Sequence, residues 1–351
     1  METTGKAIND RALYDFVYQL FAKTGMVEND AETCAECLVQ TNLWGIDSHG
    51  VLRVPIYIKR LLSGAMNTAP AMSCINDIGA LQVWNGDDGC GYIVGREAME
   101  QAIAKADEYG IGAVGVTRSN HFGAAALYTR MAVNRGMIGI AMTNVVPNVV
   151  APGGSKPIVG NNPFAVSVPT FGEFPFTLDI SLSNVAGGKL LLAIKNGEKI
   201  PLDWATDKDG RPTDDPQEGF NGFLLPVGGH KGYGLALVID LLCGVLTGGA
   251  FLHGLKGMYK YPDDPSLTGH FFIAVNPLAL MEKELFKERM DDFYQQIKAS
   301  PMWDSSREML MPGEIEYRTE QKRKQEGIVL SEELINDLNS LADELGIDSQ
   351  L

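Results

Sequence analysis

The stretch LQVWNGDDGCGYIVGREAMEQAIAKADEYGIGAVGVTRSNHFG (Leu81–Gly123) decides the fold class. It opens on a short apolar run, Leu81–Trp84, breaks into a glycine-rich turn, continues as a helical pattern over Gly95–Tyr109 and returns to an apolar run at Ile111–Thr117. Further strands are predicted at Met137–Thr143, Ala165–Val168 and Phe176–Ile180, with a helical pattern at Ala124–Asn134 between them. Strands alternating with helices favour an α/β sheet. Toward the N-terminus, Asp10–Lys23 and Asn29–Trp44 carry apolar residues at spacings of three and four, and Asn29/Asp30 supply a capping signal. Toward the C-terminus, Lys283–Ala299 and Ser331–Leu345 are helical and charged. The simplest partition is a helical domain from both chain ends (1–73 and 282–351) around a central α/β domain (74–281).

Composition bounds the function. The chain has 351 residues, 45% of them hydrophobic and 21% charged, which excludes disorder. A net charge of −15 argues against nucleic acid or an anionic membrane as partner. An anionic substrate would need a local basic cluster working against that field. The cysteines (Cys34, Cys37, Cys74, Cys90, Cys243) are five and scattered, so no disulfide framework is expected and a reducing cytoplasm fits. Cys34 and Cys37 form a CxxC within a helical pattern, with no second pair to complete a zinc site. METTGKAINDRALYDF lacks an apolar core, so no signal peptide is expected. The apolar run Tyr233–Phe251 contains Asp240 and four glycines and is expected to be a buried helix, not a membrane span.

Four segments carry candidate chemistry. Gly89-x-Gly91-x-x-x-Gly95 lies between a strand and a helix, where a dinucleotide pyrophosphate sits in a Rossmann unit. The acidic residue required after the next strand is replaced by Arg118 and Ser119, so a tight turn under a closely packed helix is the competing reading. Gly228–Gly234 (GGHKGYG) opens a helix, and its free N–H groups with Lys231 could cradle an anion. On a helix, His49, Arg53 and Tyr57 would share one face after Ser48, offering a proton exchanger and a carboxylate fork, with Pro55 as the obstacle. Finally, SNHFG (Ser119–Gly123) follows a predicted strand, where His121 could act as a general base oriented by Ser119 or Asn120. No HExxH, paired CxxC or dense acidic cluster points to a catalytic metal, and no G-x-S-x-G elbow is present.

Taken together, GIDSHGVLRVPIYIKRL (Gly45–Leu61), SNHFGAAALYTRMA (Ser119–Ala132), TNVVPNVVAPGG (Thr143–Gly154), GNNPFAVSVP (Gly160–Pro169), LDISLSNVAGGK (Leu178–Lys189), DKDGRPTDDP (Asp207–Pro216), GGHKGYGLAL (Gly228–Leu237) and MPGE (Met311–Glu314) resemble the malate/L-lactate dehydrogenase family of NAD(P)-dependent oxidoreductases. This non-Rossmann group includes sulfolactate and ureidoglycolate dehydrogenases and cyclic imino-acid reductases. The resemblance implies a sulfolactate-dehydrogenase-like fold with a central mixed sheet, and a homodimer whose active site draws on both subunits. It also implies His121 as the acid/base, with His49 beside it, and Ser48, Arg53 and Tyr57 lining the substrate pocket. Cofactor contacts are implied at Val145, Asp179, Ile180, Ser181, Lys231, Gly313, Glu314 and Ile315. The cofactor would be NAD, with NADP open, and the substrate a small carboxylate of the malate, lactate or sulfolactate type. Val146 stands where ureidoglycolate enzymes carry an aspartate, which disfavours that substrate. Reduction of a cyclic imino acid, or nucleotide binding without catalysis, are the alternative functions.

Overall fold

The computed structural model describes residues 5–351. Strand β1 (Gly5–Ile8) is followed by α1 (Asp10–Ala22), α2 (Glu28–Leu43), two single 3-10 turns and α3 (Val54–Leu62). Then come β2 (Ser73–Ile78), β3 (Leu81–Asn85), α4 (Gly91–Tyr109), β4 (Ile111–Ser119), α5 (Ala126–Asn134) and β5 (Ile138–Thr143). The middle of the chain holds β6 (Val149–Val150), β7 (Pro157–Val159), β8 (Phe164–Val168), β9 (Phe176–Ile180), α6 (Gly187–Asn196), β10 (Ala205–Thr206), α7 (Pro216–Asn221) and β11 (Phe223–Leu224). It ends with α8 (His230–Asp240), β12 (Thr268–Val275), α9 (Lys283–Lys298), α10 (Glu314–Glu326), β13 (Ile328–Ser331) and α11 (Glu332–Glu344).

The main sheet has seven strands in the order β2-β3-β4-β12-β5-β8-β9. Only β3 and β4 run parallel, joined by α4; every other neighbour is antiparallel. The sheet is therefore mixed around a single βαβ crossover. Its central strand, β12, is not among the strands expected from the sequence. Gly269 and His270 interrupt its apolar run, yet His270, Phe272 and Ala274 are buried in alternation along it. Helices α4 and α5 cover one face, packing Val94, Ala98, Met99, Ala102 and Tyr128 against Val114, Val116 and Phe272.

The opposite face receives α8 and the π-helical turn Leu241–Val245, through Ala236, Ile239 and Cys243. The expected buried helix is thus helical but not buried all round. A helix lying on a sheet can bury one stripe only, and Leu235, Val238, Leu241, Val245 and Leu246 on its other side remain 50% to 59% exposed. Among the described residues no helix is long and apolar enough to cross a membrane.

The two ends of the chain meet. β1 pairs antiparallel with β13, Gly5 opposite Ser331 and Ile8 opposite Ile328. One core joins Leu13, Phe16, Leu20, Leu38 and Ile58 to Ile328, Leu330, Leu338 and Ala342, and it also takes in Cys90 and Tyr92 at the start of α4. Helix α9 has no buried residue. It lies instead against the β8–β9 turn, with Phe286 on Phe171 and Tyr294 on Phe174.

A buried cation fastens α3 to the sheet. Arg60 is 1% exposed. Its guanidinium donates to the carbonyls of Tyr261, Pro262 and Asp264, to Ser266 Oγ and to Asn120 Oδ1, at 2.9–3.3 Å. Removing it strands these acceptors in a dry interior. Arg60→Ala should therefore lower the unfolding free energy by about 3 kcal/mol in urea titration. Arg60→Lys should recover only part of the loss, because one ammonium cannot span acceptors arranged for a planar fork.

Candidate active site

The site begins where β4 ends. After Ser119 the chain runs irregularly through Asn120, His121, Phe122 and Gly123 to α5. Asn120 Nδ2 donates to the carbonyls of Asp88 (2.8 Å) and Gly89 (3.0 Å), while its Oδ1 accepts from Arg60. Ser119 Oγ meets His270 Nε2 at 2.8 Å, and His270 Nδ1 meets Thr143 Oγ1 at 2.8 Å. Phe122 stacks on the His270 ring, with centroids 4.6 Å apart. Neither Ser119 nor Asn120 orients His121, contrary to expectation: each is committed elsewhere. The orienting group is Tyr57, whose hydroxyl meets His121 Nδ1 at 2.5 Å. A phenol both donates and accepts, so it can serve His121 in either protonation state.

The glycine-rich turn takes the structural reading. A Cβ at Gly91 would strike the carbonyl oxygens of Asn120 and His121, and one at Gly95 would strike the Tyr128 ring. The space a pyrophosphate would need is filled by the chain itself. Asp87, Asp88 and Arg118 all adopt positive φ here, and Arg118 pairs with Asp88.

The segment carrying His49, Arg53 and Tyr57 is not one helix. Asp47–His49 and Val51–Arg53 are separate 3-10 turns, and α3 starts at Val54 with Pro55 in its first turn, where the missing N–H costs nothing. Asn42 shapes the bend, its Oδ1 accepting from Val51 N at 2.8 Å. The predicted residues nevertheless converge. The His49 ring stacks on His121 at 5.5 Å, with its Nδ1 2.9 Å from Ser48 Oγ. Arg53 Nε donates to the Ser48 carbonyl at 2.7 Å, and Nη1 bonds the Tyr259 hydroxyl.

Burial, then the charges of His49, Arg53 and His270, hold His121 well below the ordinary histidine range. Burial and Arg53 bring His49 down to about 4. Burial pushes the Tyr57 phenol up, so it keeps its proton. Near neutrality the pair of imidazoles is uncharged beside a permanent cation.

The remaining predicted residues form a second group. Lys231 is exposed in the first turn of α8, behind Gly228 and Gly229, which have positive φ and open space around them. Asn162 ties this helix to Val145, donating to the Ala236 carbonyl and accepting from Val145 N, each at 2.8 Å. The Val145 amide is thereby committed, leaving its carbonyl. Asp179, at the end of β9, caps α5 by accepting from Ala126 N at 2.8 Å, and burial raises its carboxyl to about 6. Ile180 is exposed, and Ser181 Oγ lies 3.3 Å from Ser183 Oγ. Leu182 joins these parts, its amide donating to the Asn161 carbonyl and its own carbonyl accepting from Val227 N.

Gly313, at φ 92°, packs on Thr177 of β9 and heads α10. The Glu314 carboxylate is buried. Burial alone would raise it, but Lys298, the Met311 amide and Arg318 together hold it below its ordinary value. Only its backbone can face a ligand. Ile315 is 57% exposed. Among the described residues no group of three or more His, Cys, Asp or Glu could hold a metal ion.

The sequence profile described as malate/L-lactate dehydrogenase matches residues 8–339. The chain belongs to the malate/L-lactate dehydrogenase family. Among similar proteins, the L-sulfolactate dehydrogenase of Methanocaldococcus jannaschii is 40% identical over 332 residues, 95% of each chain. The malate dehydrogenase of Pyrococcus abyssi is 39% identical over 343 residues, covering 95% of this chain and 94% of its own. The solved sulfolactate dehydrogenase from M. jannaschii superposes with a TM-score of 0.92 at 39% identity, covering 97% of this chain and 98% of that one. This dehydrogenase is accordingly an oxidoreductase acting on CH–OH donors, and its family implies a nicotinamide cofactor. The residues present fit such a group: a lysine in the first turn of a helix, preceded by the unobstructed Gly228 and Gly229, suits a pyrophosphate.

Three neighbours of the site are not among the residues expected from the sequence. Arg60 falls three residues after the buried Tyr57, a charge on an apolar helix face, which is a legible signal. His270 alternates with Phe272 and Ala274 in the central strand, also legible once that strand is recognised. Tyr259 has no local signal, because its partner Arg53 is 206 residues away.

His270 also predicts a pH dependence. Burial takes it from 6.5 to about 3, so below pH 6.5 the unfolded chain binds a proton that the fold refuses. Its effect is nil above about pH 6.5, and stability drains away as pH falls toward 3. The urea unfolding free energy of the parent should fall between pH 6 and 4 more steeply than that of His270→Gln, by up to about 1.4 kcal/mol per pH unit.

Proposed function

We propose that this dehydrogenase interconverts a small 2-hydroxy acid, of the malate or sulfolactate type, with its 2-oxo acid, using His121 as the acid/base. The observation that carries the reading is the Tyr57–His121 hydrogen bond. It fixes the ring through Nδ1 and leaves Nε2 as the nitrogen that exchanges a proton with substrate. Arg53 is the carboxylate partner, since in a chain of net charge −15 an anionic substrate needs a local cation. Ser48, through its carbonyl, holds Arg53, and its hydroxyl meets His49, which packs over His121.

A nicotinamide cofactor, when bound, would supply the hydride chemistry at the substrate carbon. In the oxidative direction the neutral His121 takes the hydroxyl proton at Nε2; in the reductive direction the imidazolium returns it. Lys231 and the α8 N-terminus would hold the cofactor phosphates, and Asp179–Ser181, the Val145 carbonyl and the Gly313–Ile315 backbone would hold the rest. NAD is the cofactor by family habit, and five free cysteines fit a reducing cytoplasm.

The reading further takes residues 1–73 with 282–351 as one unit and 74–281 as the other. It places the chain in a homodimer that shares its active sites across the interface. The exposed stripe Leu235, Val238, Leu241, Val245 and Leu246 supports that assembly, being a contiguous apolar row of the kind that marks interaction sites.

The test is oxidation of NADH and NADPH, followed by absorbance, against oxaloacetate, 3-sulfopyruvate, pyruvate and cyclic imino acids. Turnover of a 2-oxo acid with NADH is expected; turnover of the imino acids alone would overturn the reading. His121→Ala should cut kcat at least about 100-fold with cofactor affinity little changed. In light scattering the parent should have about twice the 38.1 kDa chain mass, and Leu241→Glu should shift it to one chain.

A further inference from the structure

Arg53 does not reach into the site unaccompanied. Its Nε is held by the Ser48 carbonyl at 2.7 Å, its Nη1 bonds the Tyr259 hydroxyl, and its guanidinium carbon lies 5.5 Å from the centre of the Tyr259 ring. These contacts hold the guanidinium at Nε and at Nη1 and, among the described residues, leave N–H groups on both terminal nitrogens without an acceptor. That remaining edge is the fork that grips a carboxylate with two parallel hydrogen bonds.

Tyr259 is 62% exposed, so its contact with Arg53 adds little to stability. The loop that carries it is nonetheless firmly tied. Lys256 N bonds the Ser266 carbonyl and Lys256 Nζ pairs with Asp264 at 2.9 Å. Arg60 binds the carbonyls of Tyr261, Pro262 and Asp264, and Met258 packs on the core shared by the two chain ends. A phenol held out on an anchored loop, touching a cation beside the catalytic histidine, is built to orient that cation.

We propose that Tyr259 is a positioning residue for the substrate carboxylate: it holds the Arg53 guanidinium so that its free fork faces the acid group of the substrate beside His121. This rests on the reading of Arg53 as the carboxylate partner. An arginine free to sample its rotamers must be ordered each time substrate binds, and a pre-set one avoids that cost. The second half of the carboxylate pocket therefore comes from the Leu255–Ser266 loop, far in sequence from the Ser48–Tyr57 segment.

Steady-state kinetics on the full chain with the 2-oxo acid it turns over tests this, comparing the parent, Tyr259→Phe, Arg53→Ala and the double variant. Tyr259→Phe keeps the ring and loses the hydroxyl. It should raise KM about three- to tenfold, as for the loss of one ordinary, solvent-exposed hydrogen bond. Its kcat should stay within about twofold, with NADH affinity by fluorescence and the thermal midpoint unchanged. In the Arg53→Ala background it should add nothing. An unchanged KM in Tyr259→Phe, with a raised KM in Arg53→Ala, overturns the positioning role and leaves the clamp standing. An unchanged KM in Arg53→Ala removes the clamp, and the role of Tyr259 with it. A Tyr259→Phe effect that persists without Arg53 shows the tyrosine acting alone and equally overturns the proposal.

Discussion

The side-chain amide of Asn120 is the joint on which the site depends. Its donor side grips the carbonyls of Asp88 and Gly89, in the turn after β3, and its acceptor side receives Arg60 from α3 and the amide of Ser266. Three segments distant in sequence are thus clamped at the residue preceding His121. Because every partner is buried or nearly so, no water can substitute for a lost contact at low cost. The close approach of Gly91 to the carbonyls of Asn120 and His121 completes the joint. The glycines of that turn admit the chain where a side chain would not fit.

Electrostatics at the site follow from this packing. An imidazole pushed into a dry wall resists charging, and a fixed guanidinium nearby adds to the resistance. His121 therefore rests neutral, ready to take a proton. An anion placed against Arg53 would offset that cation and ease protonation of the imidazole. With a net charge of −15 the chain as a whole repels anions, so a local cation is needed to hold one.

Much of this was legible in the sequence. The run Leu81–Thr117 gives strand, helix and strand because apolar period and glycine breaks are local signals, although helix α4 starts four residues earlier than the spacing indicates, with Gly91 and Gly95 hiding its first turn. Ser48, His49, Arg53, Tyr57 and His121 were identifiable as residue types suited to proton exchange and carboxylate binding. Their convergence follows from the family resemblance and not from spacing, since it depends on two 3-10 turns and on α3 lying against the end of β4. The partner of His121 was misread for the same reason: Ser119 and Asn120 are its neighbours in sequence, but Tyr57 is its neighbour in space. The buried Glu314 shows the converse, a residue in a legible motif whose side chain is occupied by Lys298 and Arg318.

The pairing of β1 with β13 has a consequence for synthesis. Helices α1 to α3 leave the ribosome with an apolar face whose complement, Ile328 to Ala342, is made long after them. Until that strand and helix emerge, Leu13, Phe16 and Leu20 lack their final cover, and the closing contact spans more than three hundred residues of chain. Such non-local closure is slow and leaves a sticky nascent chain. A ribosome stalled before Ile328 would therefore hold a polypeptide able to build much of its sheet yet still a substrate for chaperones.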